Sequence, residues 1–157
     1  MSLTSVLGLA FAIGIVAGLR SFTAPAAVCW AAHLGWLHLE GSKLGFLGTT
    51  IAVYIASALA LVELVLDKQS WMAARTKPGP LIDRIIMGAL SGAALGSPLG
   101  PILSAVAGGV GALVGTYGGY QARRRIVANL KVPDLAVALV EDVLAVGGAL
   151  LIVSRFS

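Results

Sequence analysis

The sequence predicts an all-α, polytopic transmembrane helical bundle, and three features of its 157 residues lead to this prediction. Hydrophobic residues make up 58% of the chain and charged residues 11%, whereas a soluble domain carries about 25% charged residues. The mean hydropathy is +0.94. Most Lys and Arg residues are gathered in two short segments, 68–84 and 123–131. So few charges cannot cover a water-facing surface, so we expect an integral membrane protein in a single domain, 1–157.

Six apolar runs follow one another along the chain, at about 3–19, 24–38, 45–66, 82–97, 101–122 and 134–154. A helix needs roughly 20 residues to cross a hydrocarbon core of ~30 Å, with a lower limit near 17. The third, fifth and sixth runs satisfy this length, the first and fourth are marginal, and the second is short. We therefore expect six spans, some of them short or broken.

Two proline-containing segments separate neighbouring runs. Arg20-Ser21-Phe22-Thr23-Ala24-Pro25 lies between the first two, and Gly96-Ser97-Pro98-Leu99-Gly100-Pro101 lies between the fourth and fifth. Proline removes a backbone donor and biases the preceding residue away from the α region. Both segments are therefore expected to end a helix.

The basic segments predict the orientation, because Lys and Arg are retained on the cytoplasmic side of a membrane. If 68–84 and 123–131 are cytoplasmic loops, six spans place Met1, Gly41 and Ser157 outside. The halves, about 1–68 and 81–157, then begin on opposite sides, as in an inverted repeat. Residues 61–66 (Leu-Val-Glu-Leu-Val-Leu) echo 139–144 (Leu-Val-Glu-Asp-Val-Leu). A competing layout has four spans, with 3–37 as one kinked or re-entrant element.

Glycines recur at four-residue spacing in several of the runs. Small residues let helix backbones approach closely in lipid, where no hydrophobic effect drives helices together. We expect these glycines to pack helices, either within one chain or between subunits; they are Gly14, Gly18, Gly88, Gly92, Gly96, Gly111 and Gly115.

Acidic residues inside apolar runs are the main candidates for function, because ionisable groups are costly in a membrane. Glu63 and Asp67 lie on one helical face near the end of the third run, while Glu141 and Asp142 lie about two turns into the sixth. With Arg20 and Arg84 they are expected to form an ion or substrate pathway at the cytoplasmic side. The alternative is a structural salt-bridge network, for example Glu63 or Glu141 with Arg20 or Arg84.

Enzyme motifs and metal sites are not indicated by the sequence. His33 and His38 are too few and too isolated from Cys or Glu pairs for zinc, and Cys29 is the single cysteine. We expect no catalytic residue, no metal and no cofactor. The net charge of +4 is assigned to contacts with anionic lipid headgroups rather than to nucleic acid.

Several of these residues also occur together in a recognisable pattern. They are Gly18-Leu19-Arg20-Ser21-Phe22-Thr23-Ala24-Pro25, Glu63-x3-Asp67-Lys68, Arg75-Thr76-x-Pro78, Arg84-x3-Gly88 and Glu141-Asp142. Over nearly the whole chain this pattern resembles a bacterial membrane-protein family catalogued as domain of unknown function 4126. The resemblance implies a small multi-pass protein of the inner (plasma) membrane and no established activity.

The functional expectation is a small channel or secondary transporter for an ion or small solute, forming a homo-oligomer, with a dimer favoured. The carboxylates would bind a cation or proton; an anion, such as a lipid phosphate, would instead bind Arg20, Arg84 and the 123–125 cluster. The alternative is a non-transporting membrane scaffold that packs through its glycine ridges and binds lipids or partner proteins.

Overall fold

The computed structural model describes residues 1–66 and 76–157. Within these ranges the chain forms six α-helices and two short 3-10 helices, at Gly45–Gly48 and Ser154–Phe156, and contains no β-strand. The all-α prediction is confirmed at this level. The α-helices are α1 (Leu3–Leu19), α2 (Thr23–His33), α3 (Thr50–Leu66), α4 (Pro78–Leu95), α5 (Pro101–Leu130) and α6 (Asp134–Val153).

Local chemistry explains where α1 begins and ends. The Ser2 hydroxyl accepts a hydrogen bond from the Ser5 N–H at 3.2 Å, which caps the first turn. At the other end Arg20 adopts an extended conformation, with φ −142° and ψ 111°. Pro25 then lies in the first turn of α2, where a missing N–H costs no intrahelical hydrogen bond. The helix break is therefore confined to residues 20–22.

Prolines also mark the starts of the last three helices. Pro78 and Pro101 are the first residues of α4 and α5, and Pro133 directly precedes α6.

The sequence-based expectation of a loop at 123–131 is wrong, because α5 continues through this segment to Leu130. No helix-breaking residue occurs there before Pro133, and the C-cap after Leu130 is Lys131, whose φ is +50°.

The helices run between two ends of the molecule. At one end, Met1, His38, Leu99 and Arg155 line a common cavity of about 370 Å³. We call this the terminal end, since both chain termini and the α4–α5 turn lie there. The opposite end contains the α1–α2 break and the charged residues described below, and we call it the polar end.

Helix α2 is too short to reach from the polar end to the terminal end. Its 11 residues rise about 16 Å, at 1.5 Å per residue. Residues 34–49 complete the path without an α-helix. The side chains of α2 hold the segments that follow: Trp30 Nε1 donates to Ser57 Oγ on α3 at 3.0 Å, and His33 Nδ1 lies 3.0 Å from the carbonyl oxygen of Gly48.

Helices α1, α4 and α5 pack backbone to backbone. A Cβ atom added at Gly14 would collide with the backbone of Gly108, and one added at Gly108 would collide with the backbone of Gly88. Helix α5 is therefore in close contact with α1 on one side and α4 on the other. Only residues without a side chain allow this approach.

Two helical segments, Pro101–Leu130 and Asp134–Phe156, are long and apolar enough to cross a membrane. Leu3–Leu19 and Thr50–Leu66 are apolar but shorter. In the most apolar stretch of each segment, 39% of the residues are buried within the chain for Pro101–Leu130 and 28% for Asp134–Phe156.

Candidate functional site: the charge cluster at the helix break

Arg20 is the largest side chain that is fully buried among the described residues. It is the first residue after α1 and reaches towards α6, where its Nε donates to Asp142 Oδ1 at 2.6 Å. Its Nη2 atom lies 2.5 Å from the same oxygen. The helix break is thereby joined to the sixth helix through a buried ion pair.

Glu141, the neighbour of Asp142 on α6, lies between two arginines. Its Oε2 atom is 3.9 Å from Arg20 Nη2 and 3.6 Å from Arg123 Nη1. Arg123, near the end of α5, also binds Asp134 through two hydrogen bonds, with Nε 2.7 Å from Oδ1. The ionic contacts thus form a chain from the exposed Asp134 to the buried Arg20.

Glu63 binds the backbone on the α2 side of the break. Its Oε1 accepts from the Ser21 N–H at 2.6 Å, and its Oε2 accepts from the Phe22 N–H at 2.8 Å. Amides at the start of a helix lack intrahelical acceptors, and negative charge is stabilised there by the helix dipole. The start of α2 therefore provides a favourable environment for the negative charge of Glu63, which lies in the last described turn of α3.

Arg84, on α4, binds the other side of the break. Its Nη1 donates to the carbonyl oxygens of Gly18 at 2.7 Å and Leu19 at 3.0 Å. The Thr116 hydroxyl of α5 also donates to the Gly18 carbonyl oxygen, at 3.2 Å. These carbonyls end α1, where a positive charge is favoured. Arg84 Nη2 lies 4.0 Å from Glu63 Oε1, so the groups that cap the two helices also face each other.

The structure brings together five of the six residues predicted for a pathway: Arg20, Glu63, Arg84, Glu141 and Asp142. Asp67, the sixth, lies outside the described residues. The sequence did not predict Thr116, the Arg123–Asp134 pair or the backbone groups of residues 18–22 as parts of this site. Arg123 was assigned to a basic loop. Its position 11 residues before Asp134, with a helix break at Pro133 between them, could have indicated that the two side chains form an ion pair.

The seven glycines expected to pack helices all lie against neighbouring segments of the same chain. Gly14, Gly18, Gly111 and Gly115 lie at the contact between α1 and α5, while Gly88, Gly92 and Gly96 lie at the contact between α4 and α5. The central Gly108 was missed. A second ridge of small residues at four-residue spacing could have identified it: Ser104, Gly108, Ala112 and Thr116.

In the described ranges, 1–66 and 76–157, no group of three or more His, Cys, Asp or Glu side chains is placed so that it could hold a metal ion.

Comparison with known families gives one match over the site and almost all of the fold. The model of the family described as "Domain of unknown function (DUF4126)" matches residues 7–155, and the chain belongs to this family. The resemblance noted from the sequence motifs is therefore confirmed. No curated protein and no solved structure matches the chain.

Proposed function

We propose that the chain is a multi-pass protein of the inner (plasma) membrane. Support comes from large apolar side chains that are exposed along three helices. The largest such patch on a soluble monomer is typically about 300–600 Å². Here the exposure extends along the length of each helix, which suits contact with lipid; examples are Ile51, Tyr54 and Val65 on α3, Ile102 and Val106 on α5, and Val143 and Leu151 on α6.

The proposed arrangement has six passes, with the polar end at the cytoplasmic side. The basic residues Arg84, Arg123, Arg124 and Arg125 lie towards this end, in agreement with the positive-inside bias. An inverted repeat remains part of the proposal. It is supported by the matching segments 61–66 and 139–144, since each supplies a glutamate near the same helix break.

Within this membrane domain we propose a channel or secondary transporter for an ion or small solute. The observation that carries the proposal is Arg20, which is fully buried in an irregular segment between two helices and is paired with Asp142. Non-helical backbone at membrane depth occurs where it is buried in protein or lines a cavity. Discontinuous helices with charged groups are how transporters build their sites.

The balance of charges favours a proton or a cation over an anion. The described residues of the charge cluster at the helix break are three arginines (Arg20, Arg84 and Arg123) and four carboxylates (Glu63, Asp134, Glu141 and Asp142), each within ion-pair distance of an oppositely charged residue of the cluster. An anion would have to displace carboxylates that already bind these arginines. A proton arriving at Glu141 would instead weaken its attraction to both Arg20 and Arg123 and let the two arginines separate from it.

Proton flux into liposomes tests the transport proposal. Purified protein is reconstituted with a pH-sensitive dye inside, and a potassium gradient with valinomycin sets the voltage. We expect acidification faster than in protein-free liposomes, lost in Glu141→Gln and retained in the matched control Asp134→Asn, whose carboxylate is exposed. Wild-type flux equal to that of protein-free liposomes, for protons and for Na⁺, K⁺ and Cl⁻ in parallel assays, would reject the proposal.

A non-transporting membrane scaffold is the second candidate. It is favoured by the hydrogen bonds and ion pairs that Glu63, Glu141 and Asp142 already make, which join all six α-helices as a structural network would. A homodimer remains a proposal under both functions. Because the glycines contact segments of their own chain, a dimer would use the exposed faces of α3, α5 or α6.

A further inference from the structure

One exposed face of α5 is apolar in its first half and carries tyrosines and arginines in its second half. From Ile102 to Val114 the exposed residues on this face are apolar. The residues that follow on this face recur at the i, i+3, i+4, i+7, i+8 spacing of one side of a helix and line a cavity of about 610 Å³ at the polar end; they are Tyr117, Tyr120, Gln121, Arg124 and Arg125, followed by Ala128 and Asn129. Thr76, just before α4, contributes to the same cavity.

The two arginines of this cavity differ from the neighbouring Arg123. Arg123 is bound by Asp134 and lies close to Glu141. Over residues 1–66 and 76–157, by contrast, neither Arg124 nor Arg125 forms an ion pair or a side-chain hydrogen bond. Among the described residues no carboxylate is paired with either of these two positive charges, which face the same polar cavity and make it suited to an anion from outside the chain.

The depth of the cavity indicates which anion fits. A helix crosses a hydrocarbon core of ~30 Å in roughly 20 residues, so a span that begins at Pro101 leaves the core near Tyr120. Tyrosine is enriched at this interface. Arg124 and Arg125 lie about 6–8 Å further along the helix axis than Tyr120, at the depth of lipid phosphates. The apolar face from Ile102 to Val114 then lies where acyl chains would run.

We propose that this face of α5 binds one anionic phospholipid. Its phosphate is held by Arg124 and Arg125 beside the Tyr117 and Tyr120 hydroxyls, and its acyl chains lie along residues 102–114. The site rests on the proposed membrane placement but not on transport, because none of its residues belongs to the charge cluster at the helix break.

Lipid binding to the full chain in mild detergent tests this site. Delipidated protein is titrated with phosphatidylglycerol, phosphatidylcholine or glycerol 3-phosphate, and bound molecules are counted by native mass spectrometry. We expect phosphatidylglycerol to bind at least about tenfold more tightly than the other two. Arg124→Gln and Arg125→Gln should each weaken it by about fivefold, since a basic residue near lipid headgroups contributes about 1 kcal/mol.

Lys131→Gln is the matched control, because it removes a positive charge at the same end of α5 from a residue outside the cavity. It should change phosphatidylglycerol binding less than twofold. Equal weakening in all three variants, unchanged binding in Arg124→Gln and Arg125→Gln, or glycerol 3-phosphate binding as tightly as the lipid would each overturn the proposal. The assay measures no flux, so its failure is distinct from a failure of the transport proposal.

Discussion

Arg20 and Asp142 are 122 positions apart in the sequence, yet Arg20 Nε donates to Asp142 Oδ1 at 2.6 Å. The contact joins the break between α1 and α2 to Asp142 on α6, next to Glu141. Arg20 is wholly buried, so its charge is separated from solvent and depends on the carboxylates around it. Breaking a buried pair by removing one partner is costly, because the other charge remains uncompensated.

Asp142→Asn is therefore expected to lower the free energy of unfolding by about 3–5 kcal/mol. Thermal unfolding in detergent measures the change. Asp134→Asn is the matched control; Asp134 also binds an arginine but its side chain is 62% exposed, so we expect a loss below about 1 kcal/mol. The double variant Arg20→Gln/Asp142→Asn should lose less than the sum of the two single changes. Additive losses would show that the pair does not act as a unit.

Gly108→Ala and Gly118→Ala are predicted to change stability in opposite directions, although both lie on α5. A Cβ atom at Gly108 would collide with the backbone of Gly88, so this variant should be less stable or fail to assemble. Gly118 has no atom within 4 Å of an added Cβ, and alanine favours a helix over glycine by up to about 1 kcal/mol. Thermal unfolding of both variants measures the difference; equal changes would contradict the close packing of α4 and α5.

Helix positions could be predicted from the sequence where apolar runs and helix-breaking residues coincide. Residues 3–19 were expected as a span and form α1, because Ser2 caps the start and the chain breaks at Arg20. The extension of α5 to Leu130 was not predicted, because the basic residues were interpreted as a loop. Charge alone does not end a helix, and arginine is a good helix former.

The candidate site could be predicted only as a set of residues. Charged groups in apolar runs are few, so Arg20, Glu63, Arg84, Glu141 and Asp142 were all identified. Their partners depend on how the helices pack. Nothing in residues 61–66 indicates that Glu63 accepts hydrogen bonds from two backbone amides at the start of α2, because peptide groups are the same in every sequence.

The proposed six-pass arrangement predicts which positions share a side of the membrane. In a Cys29→Ala background, Ser97→Cys and Ser157→Cys should react with an impermeant thiol reagent from outside, because both lie at the terminal end. Asn129→Cys, at the polar end, should react only after the membrane is permeabilised. Whole-cell labelling followed by gel shift provides the measurement. Ser157→Cys and Asn129→Cys reacting from the same side would contradict six passes and favour four.

Glu63 and Glu141 are expected to respond differently to the same substitution, and the comparison separates transport from scaffolding. In Glu63→Gln only the amide oxygen can accept, so one of the two N–H groups of residues 21 and 22 loses its partner. Leaving a buried donor unsatisfied costs about 1–3 kcal/mol, which should appear as a lower unfolding temperature in detergent.

Glu141→Gln should remain close to wild type in stability, because Arg20 keeps Asp142 and Arg123 keeps Asp134 as partners. It removes the carboxylate that, in the transport proposal, takes up and releases a proton beside Arg20 and Arg123, so proton flux in liposomes should fall to the protein-free level. Flux and unfolding temperature are measured on the same preparations, with flux expressed per folded molecule. Wild-type protein that transports, together with a stable Glu141→Gln that transports equally well, would exclude Glu141 from the pathway. The cluster would then be better explained as the network that fixes the helix break.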